Sequence, residues 1–356
     1  MQSRIFPISF LLALVVTFSG CSSKPNNLTA NKPGAGGGQV VGAGSTFVYP
    51  VMSRWIDDYH RSHPEVQINY QSIGSGGGIQ QLKQGVVNFG ASDLALDDNQ
   101  LKEMPALVQI PESAGPVCIT YNVANVSQPL KLSASTLSGI YLGAIKNWQD
   151  PAIKKDNPGV NLPSQNIVVV HRSDGSGTTN IFTTYLSAVN PDWQKKAGKG
   201  LSISWPTGIG GKGSEGVTGL IKQNPGAIGY VELTYAEENK IPVAQIQNKA
   251  GKFVSPSAEG ASAAIDAFSQ QLSQDIRQPI VDPPASAADA YPISGLTFLL
   301  VPKTQPDSQK AAQVKDFVGY VISSGQGTAH QLHYAALPQS LQNIDEQLLD
   351  QVQAGG

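Results

Sequence analysis

The sequence predicts an α/β fold built mostly on parallel sheet. Three observations point there. A unit recurs in kind though not in sequence: a short apolar strand, a Gly/Ser-rich turn, then an amphipathic helix. The chain holds 37 glycines, many of them at strand ends ahead of helical patterns, which suits sites lined by backbone. Its 356 residues allow two domains, or one large one, with ample core.

Each unit can be read in turn. QVVGAGSTFVYPVMSRWIDDYH places Val48, Met52, Trp55, Ile56 and Tyr59 on one helical face. VQINYQSIGSGGGIQQLKQG alternates Val66, Ile68 and Tyr70 before its glycines, as a strand does. IVVV leads into HRSDGSGT and a helix whose stripe is Ile181, Phe182, Tyr185, Leu186 and Val189. GVVNFG, PVCITYN, AIGYV and LTFLLV read as further strands.

The N-terminus is a targeting segment. Arg4 precedes an apolar run from Ile5 to Phe18, and small residues follow. Phe18-Ser19-Gly20-Cys21 resembles a bacterial lipobox, with Phe18 where leucine is usual, so residues 1–20 read as a lipoprotein signal and Cys21 as the lipid anchor. Pro7 and the Ser-Gly-Cys stop leave too short a run for a membrane helix. Residues 21–38 read as a flexible tether, rich in Pro, Gly and Asn, spanning about 20–25 Å. Cys118, the other cysteine, sits in an apolar strand and reads as a buried, inert thiol.

Net charge is −2 and only 14% of residues are charged. No Lys/Arg run stands out, which argues against a nucleic-acid partner. No grouping of His, Cys, Asp and Glu has metal-site spacing, and nothing calls for a cofactor.

Three helix starts follow strands: Gly44-Ser45-Thr46-Phe47, Gly74-Ser75-Gly76-Gly77 and Ser176-Gly177-Thr178. A helix start leaves backbone N–H groups unpartnered and carries partial positive charge. Glycine admits close approach, and Ser and Thr add hydroxyl donors. Each alone fits simple capping. Three together, at the carboxyl ends of parallel strands, fit an anion site. Arg172 adds full charge in a fork suited to an oxyanion, and Asp174 is placed to hold it. Asp93, in NFGASDLAL, is the odd member, because a carboxylate repels an anion by about 4 kcal/mol per unit charge near 4 Å at an effective dielectric of 20. It becomes useful when the anion still carries a proton, as phosphate does near neutral pH and sulfate does not. Such a difference is about a thousandfold in affinity.

GAGSTFVYPVMSRW, YQSIGSGGG, FGASDLAL, RSDGSGTTNIFTTYL, GIGGKGSEGV and PGAIGYVE resemble, in order from about Val40 to Pro338, the phosphate-binding proteins of bacterial phosphate ABC transporters. The resemblance implies the two-lobed periplasmic-binding-protein fold of type II, with phosphate in the interlobe cleft. It implies one lobe from residues 39–113 and 289–352 and another from 114–288. It assigns phosphate contacts to Thr46, Phe47, Ser75, Asp93, Arg172, Ser176, Gly177 and Thr178, with Asp174 supporting Arg172. Ser45 stands where alanine is common in the family and is expected to be neutral. The implied partners are inorganic phosphate and the membrane permease and ATPase subunits of an importer. The implied state is a monomer without catalytic activity, in the periplasm or at the cell surface.

Three other readings compete. GIGGKG, Gly208–Gly213, matches a dinucleotide fingerprint with Glu232 at a ribose-contact distance, but it comes late in the chain and reads as a loop feeding a helix. A phosphoester hydrolase would use Ser176, Asp174 and a histidine, yet Asp-Gly-Ser-Gly is not a nucleophile elbow. The same fold binding sulfate or another oxyanion is disfavoured by Asp93.

Overall fold

A computed structural model describes residues 39–355. The signal segment, the anchor Cys21 and the whole tether lie outside the described residues. Eight strands form the main sheet: β1 Val40–Gly44, β2 Ile68–Ser72, β3 Phe89–Ser92, β4 Leu107–Tyr121, β5 Val168–Arg172, β6 Ile209–Gly211, β7 Ala227–Glu232 and β8 Ser294–Pro302. Their order across the sheet is β2-β1-β3-β8-β4-β7-β5-β6.

The sheet is mixed: four of its seven strand pairings are parallel, so the expectation of mostly parallel pairing holds with an antiparallel centre added. At one end β1 runs parallel to β2 and β3. At the other β5 runs parallel to β6 and β7. The middle is antiparallel, with β8 against β3 and β4, and β4 against β7. The reason is the length of β4. Its 15 residues pair with β8 through Pro116 and with β7 from Val117 onward. One strand thus serves both halves of the sheet and fixes the direction of its neighbours.

Four helices position the site: α1 Tyr49–Ser62, α2 Ser75–Lys83, α3 Gly177–Val189 and α4 Gly213–Gln223. α1 buries Val51, Met52, Trp55 and Tyr59, while Ile56 is half-buried. The Trp55 indole stays satisfied in the core by donating to the Gly325 carbonyl at 2.7 Å. α3 buries Ile181, Phe182, Tyr185 and Leu186, and Val189 is only half-buried because it closes the last turn. Cys118 is free and buried, and burial pushes its thiol well above the usual range. That is the inert thiol expected. Among the described residues no helix is long and apolar enough to cross a membrane.

Candidate functional site

The starts of α1, α2 and α4 have no side-chain cap. Their first N–H groups therefore depend on other partners. Pro50 in the first turn of α1 fixes the backbone there without needing a donor. Gly74, ahead of α2, has φ +85°, and a side chain there would strike the Asp174 carboxylate. α3 does have a cap, with Ser176 Oγ accepting from Thr179 N at 3.1 Å. The capping reading thus holds for that oxygen, and the Ser176 hydroxyl hydrogen is left to donate elsewhere.

These starts meet. Ser75 Oγ accepts from Asp93 N and from Gly177 N, each at 3.2 Å. That one hydroxyl joins the α2 start, the end of β3 and the α3 start. Gly76 N donates to the Gly175 carbonyl at 2.9 Å. Thr46 Oγ1 lies 2.8 Å from Ser214 Oγ and accepts from Ser214 N at 3.3 Å, which brings in the α4 start. Thr46, Ser75, Asp93, Arg172, Ser176 and Thr178 are all buried. Phe47 turns its ring into the core against Tyr334, so only its backbone is available to a ligand.

Charge is concentrated and held in place. Arg172 grips Asp174 through Nε at 2.8 Å and Nη2 at 2.5 Å. Burial works against the Arg172 charge, but the Asp174 fork outweighs it and raises its pKa. Burial likewise opposes the Asp174 charge, and Arg172 with Gly213 N more than compensates, so its pKa falls. The fork uses Nε and Nη2 and leaves the Nη1 edge for another acceptor. Burial pushes the Asp93 carboxyl up to about 6, against the pull of Ser45, Thr297, Arg172 and Thr178. Thr178 Oγ1 is buried and makes no hydrogen bond of normal geometry. A buried hydroxyl without a partner is costly, and a ligand oxygen removes the cost. The arrangement can desolvate a small anion among fixed N–H and O–H donors, one guanidinium and one hydrogen-bond acceptor.

A model of the PBP superfamily domain matches residues 29–324. The phosphate-binding protein PstS of Xylella fastidiosa strain Temecula1 is 43% identical over 304 residues, covering 85% of this chain and 82% of its own. The PstS of Methanocaldococcus jannaschii is 37% identical over 358 residues, covering 94% of this chain and 91% of its own. The chain belongs to the PstS family within the PBP superfamily. Its fold is shared with the high-affinity periplasmic phosphate-binding protein PfluDING bound with phosphate, at TM-score 0.67 and 22% identity over 86% of this chain and 92% of that one. The phosphate-binding protein of Stenotrophomonas maltophilia gives TM-score 0.64 and 18% identity, over 87% and 93% of the two chains.

In this PstS-family chain, all eight residues carried over by motif fall in one cluster, and Asp174 supports Arg172 by direct contact. Ser45 fits into the cluster and adds contacts of its own. Its hydroxyl donates to Asp93 Oδ1 at 2.5 Å, and its oxygen accepts from Val48 N at 3.3 Å. Alanine there would leave Asp93 without that donor.

The competing sites come apart. Glu232 is buried as the cap of the helix Leu233–Glu238, accepting from Thr234 N at 2.9 Å, so it serves no ribose. GIGGKG forms β6 and the α4 start, so the segment expected to be a loop feeding a helix is a short strand that does so. His171 stacks on Trp205 and lies against the Arg172 carbonyl, and among the described residues no histidine shares a hydrogen bond with Ser176. Among the described residues no group of three or more His, Cys, Asp or Glu could hold a metal ion.

Sequence reasoning missed Ser214 and Tyr235. The Tyr235 hydroxyl reaches the Thr46 carbonyl at 2.7 Å and Glu215 Oε1 at 3.0 Å. The signal for Ser214 was present in GIGGKGSEGV, a fourth Gly-Ser helix start.

Proposed function

We propose that this chain captures inorganic phosphate with high affinity and delivers it to an ABC-type importer. One observation carries the reading: a buried carboxylate, Asp93, stands among the donors of converging helix starts and beside Arg172. A site for a bare anion has no use for that carboxylate. A site for a protonated anion does, because the ligand's own O–H supplies the donor Asp93 lacks. With its pKa near 6, Asp93 is ionised at neutral pH and ready to accept.

Phosphate contacts are assigned to Thr46 and Phe47 at the α1 start, Ser75 at α2, Asp93 after β3, and Arg172, Ser176, Gly177 and Thr178 at α3. Residues 39–113 with 289–352 make one lobe and 114–288 the other, and the lobes close on the ion. Contacts between the assigned lobes, such as Gly76 N to the Gly175 carbonyl, favour closure. The chain performs no chemistry. Its partners are the permease and ATPase of the importer, met as a monomer tethered outside the cytoplasmic membrane through Cys21.

Titration calorimetry at neutral pH tests this, on protein stripped of bound phosphate by unfolding and refolding. Phosphate binds with a Kd near micromolar: a ceiling of about −1.5 kcal/mol for each of five heavy atoms gives roughly −7.5 kcal/mol, and ionic charge tightens it further. Sulfate gives no heat, and Asp93→Asn admits it. Equal binding of both anions by the wild type would remove the role of Asp93. Binding of neither would overturn the phosphate reading.

A further inference from the structure

Behind Asp93 stands a second buried carboxylate. Glu112 lies in β4 and is fully shielded from solvent. The register with β8 steps from Ser113 opposite Thr297 to Pro111 opposite Phe298, so Glu112 is the extra residue of a β-bulge. A bulge re-aims a side chain away from regular alternation. Glu112 Oε1 lies 3.0 Å from Thr297 Oγ1, and Oε2 has no hydrogen-bond partner. Gln326 meets Glu112 at its backbone carbonyl and not at its carboxyl. Glu112 belongs to no ion pair among the described residues. Burial, with a smaller push from the Asp93 charge and against the Thr297 hydroxyl, moves the Glu112 carboxyl up to about 8. β8 pairs with β3 with Phe298 opposite Ser92, which sets Thr297 beside Asp93, and there its hydroxyl favours the ionised form of Asp93.

We propose that Glu112 is a positioning residue of the anion site: as a neutral acid it turns the Thr297 hydroxyl toward Asp93, and so keeps Asp93 ready to accept the ligand's proton. The proposal rests on the phosphate reading of that site. A threonine hydroxyl has one hydrogen. A protonated Glu112 donates to Thr297 Oγ1 and leaves that hydrogen for Asp93. An ionised Glu112 claims the hydrogen itself. Asp93 then loses a donor, and the site gains a second negative charge that repels the anion. The groups facing Glu112 are Asp93 after β3, Thr297 on β8 and Tyr70 on β2. Arg172, on β5, also acts on Asp93. Tyr70 is pushed well above its usual range by burial and then by Glu112 and Asp93, so it stays neutral throughout.

The test is phosphate affinity by calorimetry from pH 6.5 to 9.5 for the stripped wild type, Glu112→Gln and Thr297→Val. Phosphate's own titration is common to all three and cancels in their ratios. Wild-type Kd divided by Glu112→Gln Kd rises about tenfold across the range, one pKa unit's worth of linkage. Thr297→Val, close in shape, binds more weakly at pH 7 and loses affinity less steeply on the alkaline side. A constant Glu112→Gln ratio overturns the proposal, whatever that variant does to stability. Should Glu112→Gln fail to fold, a wild-type pH profile in Thr297→Val overturns it instead. A wild type that binds no phosphate at any pH overturns the phosphate reading, a separate result.

Discussion

Arg172 delivers charge from a fixed position. Its side chain is only 2% exposed, and Asp174 holds two of its nitrogens in a planar fork. The residue types and the i,i+2 spacing made this pair legible in the sequence. Truncating one partner of a buried charge pair costs about 2–5 kcal/mol, much of it from the charge left behind. Arg172→Ala therefore weakens phosphate binding at least about thirtyfold at pH 7, measured by calorimetry. Unchanged affinity would remove Arg172 from the site. The role of Ser45 was not legible in the same way. Its partner Asp93 is 48 residues away, and a serine before a helix is explained well enough by capping.

The helix starts are the elements that make the site, and they were readable because glycine and hydroxyl residues mark them locally. How closely they approach one another was not readable. A Cβ on Gly177 would lie 2.5 Å from Ser75 Oγ and 2.6 Å from the Asp93 side chain. These are the groups that join the α3 start to the α2 start and to β3. Gly177 sits in ordinary helical backbone, so alanine there costs no local strain. Gly177→Ala thus keeps its fold and its far-ultraviolet circular dichroism but holds the two turns apart. Phosphate affinity falls at least about tenfold, since the donors on either side no longer converge. Wild-type affinity in this variant would mean that the contact yields without cost. The α4 start shows the limit of local reading. The sequence around Ser214 announces a helix, and nothing near it announces Thr46, 168 residues earlier.

Alternating strands and helices, read locally, imply mostly parallel pairing, and both ends of the sheet have it. The antiparallel centre depends on β8, which returns from near the far end of the chain to lie between β3 and β4, a placement no local pattern encodes. The same long-range packing buries carboxyls that the sequence leaves looking ordinary. Burial pushes Glu112 and Glu232 up to about 8 and Asp345 up to about 9. Neither Asp345 oxygen has a hydrogen-bond partner. Unfolded, these groups titrate near 4. Between the two values the native chain holds protons that the unfolded chain has released. Stability therefore falls as pH rises through that window, by at most about 1.4 kcal/mol per pH unit for each group. His171 has the opposite sign, because burial lowers its pKa, and its contribution is lost only on acidification below about 6.5. The test range thus starts at pH 6.5. Phosphate-stripped protein, followed by calorimetric melting, loses roughly 5–10 °C in Tm between pH 6.5 and 9, at about 2 °C per kcal/mol for a chain of this size. Stripping matters because bound phosphate adds its own linked stability, about 4 kcal/mol at a thousand times Kd. Glu232→Gln removes one of the three groups and flattens the slope by about a third. A Tm independent of pH over this range would mean that the native state already carries these carboxylates ionised.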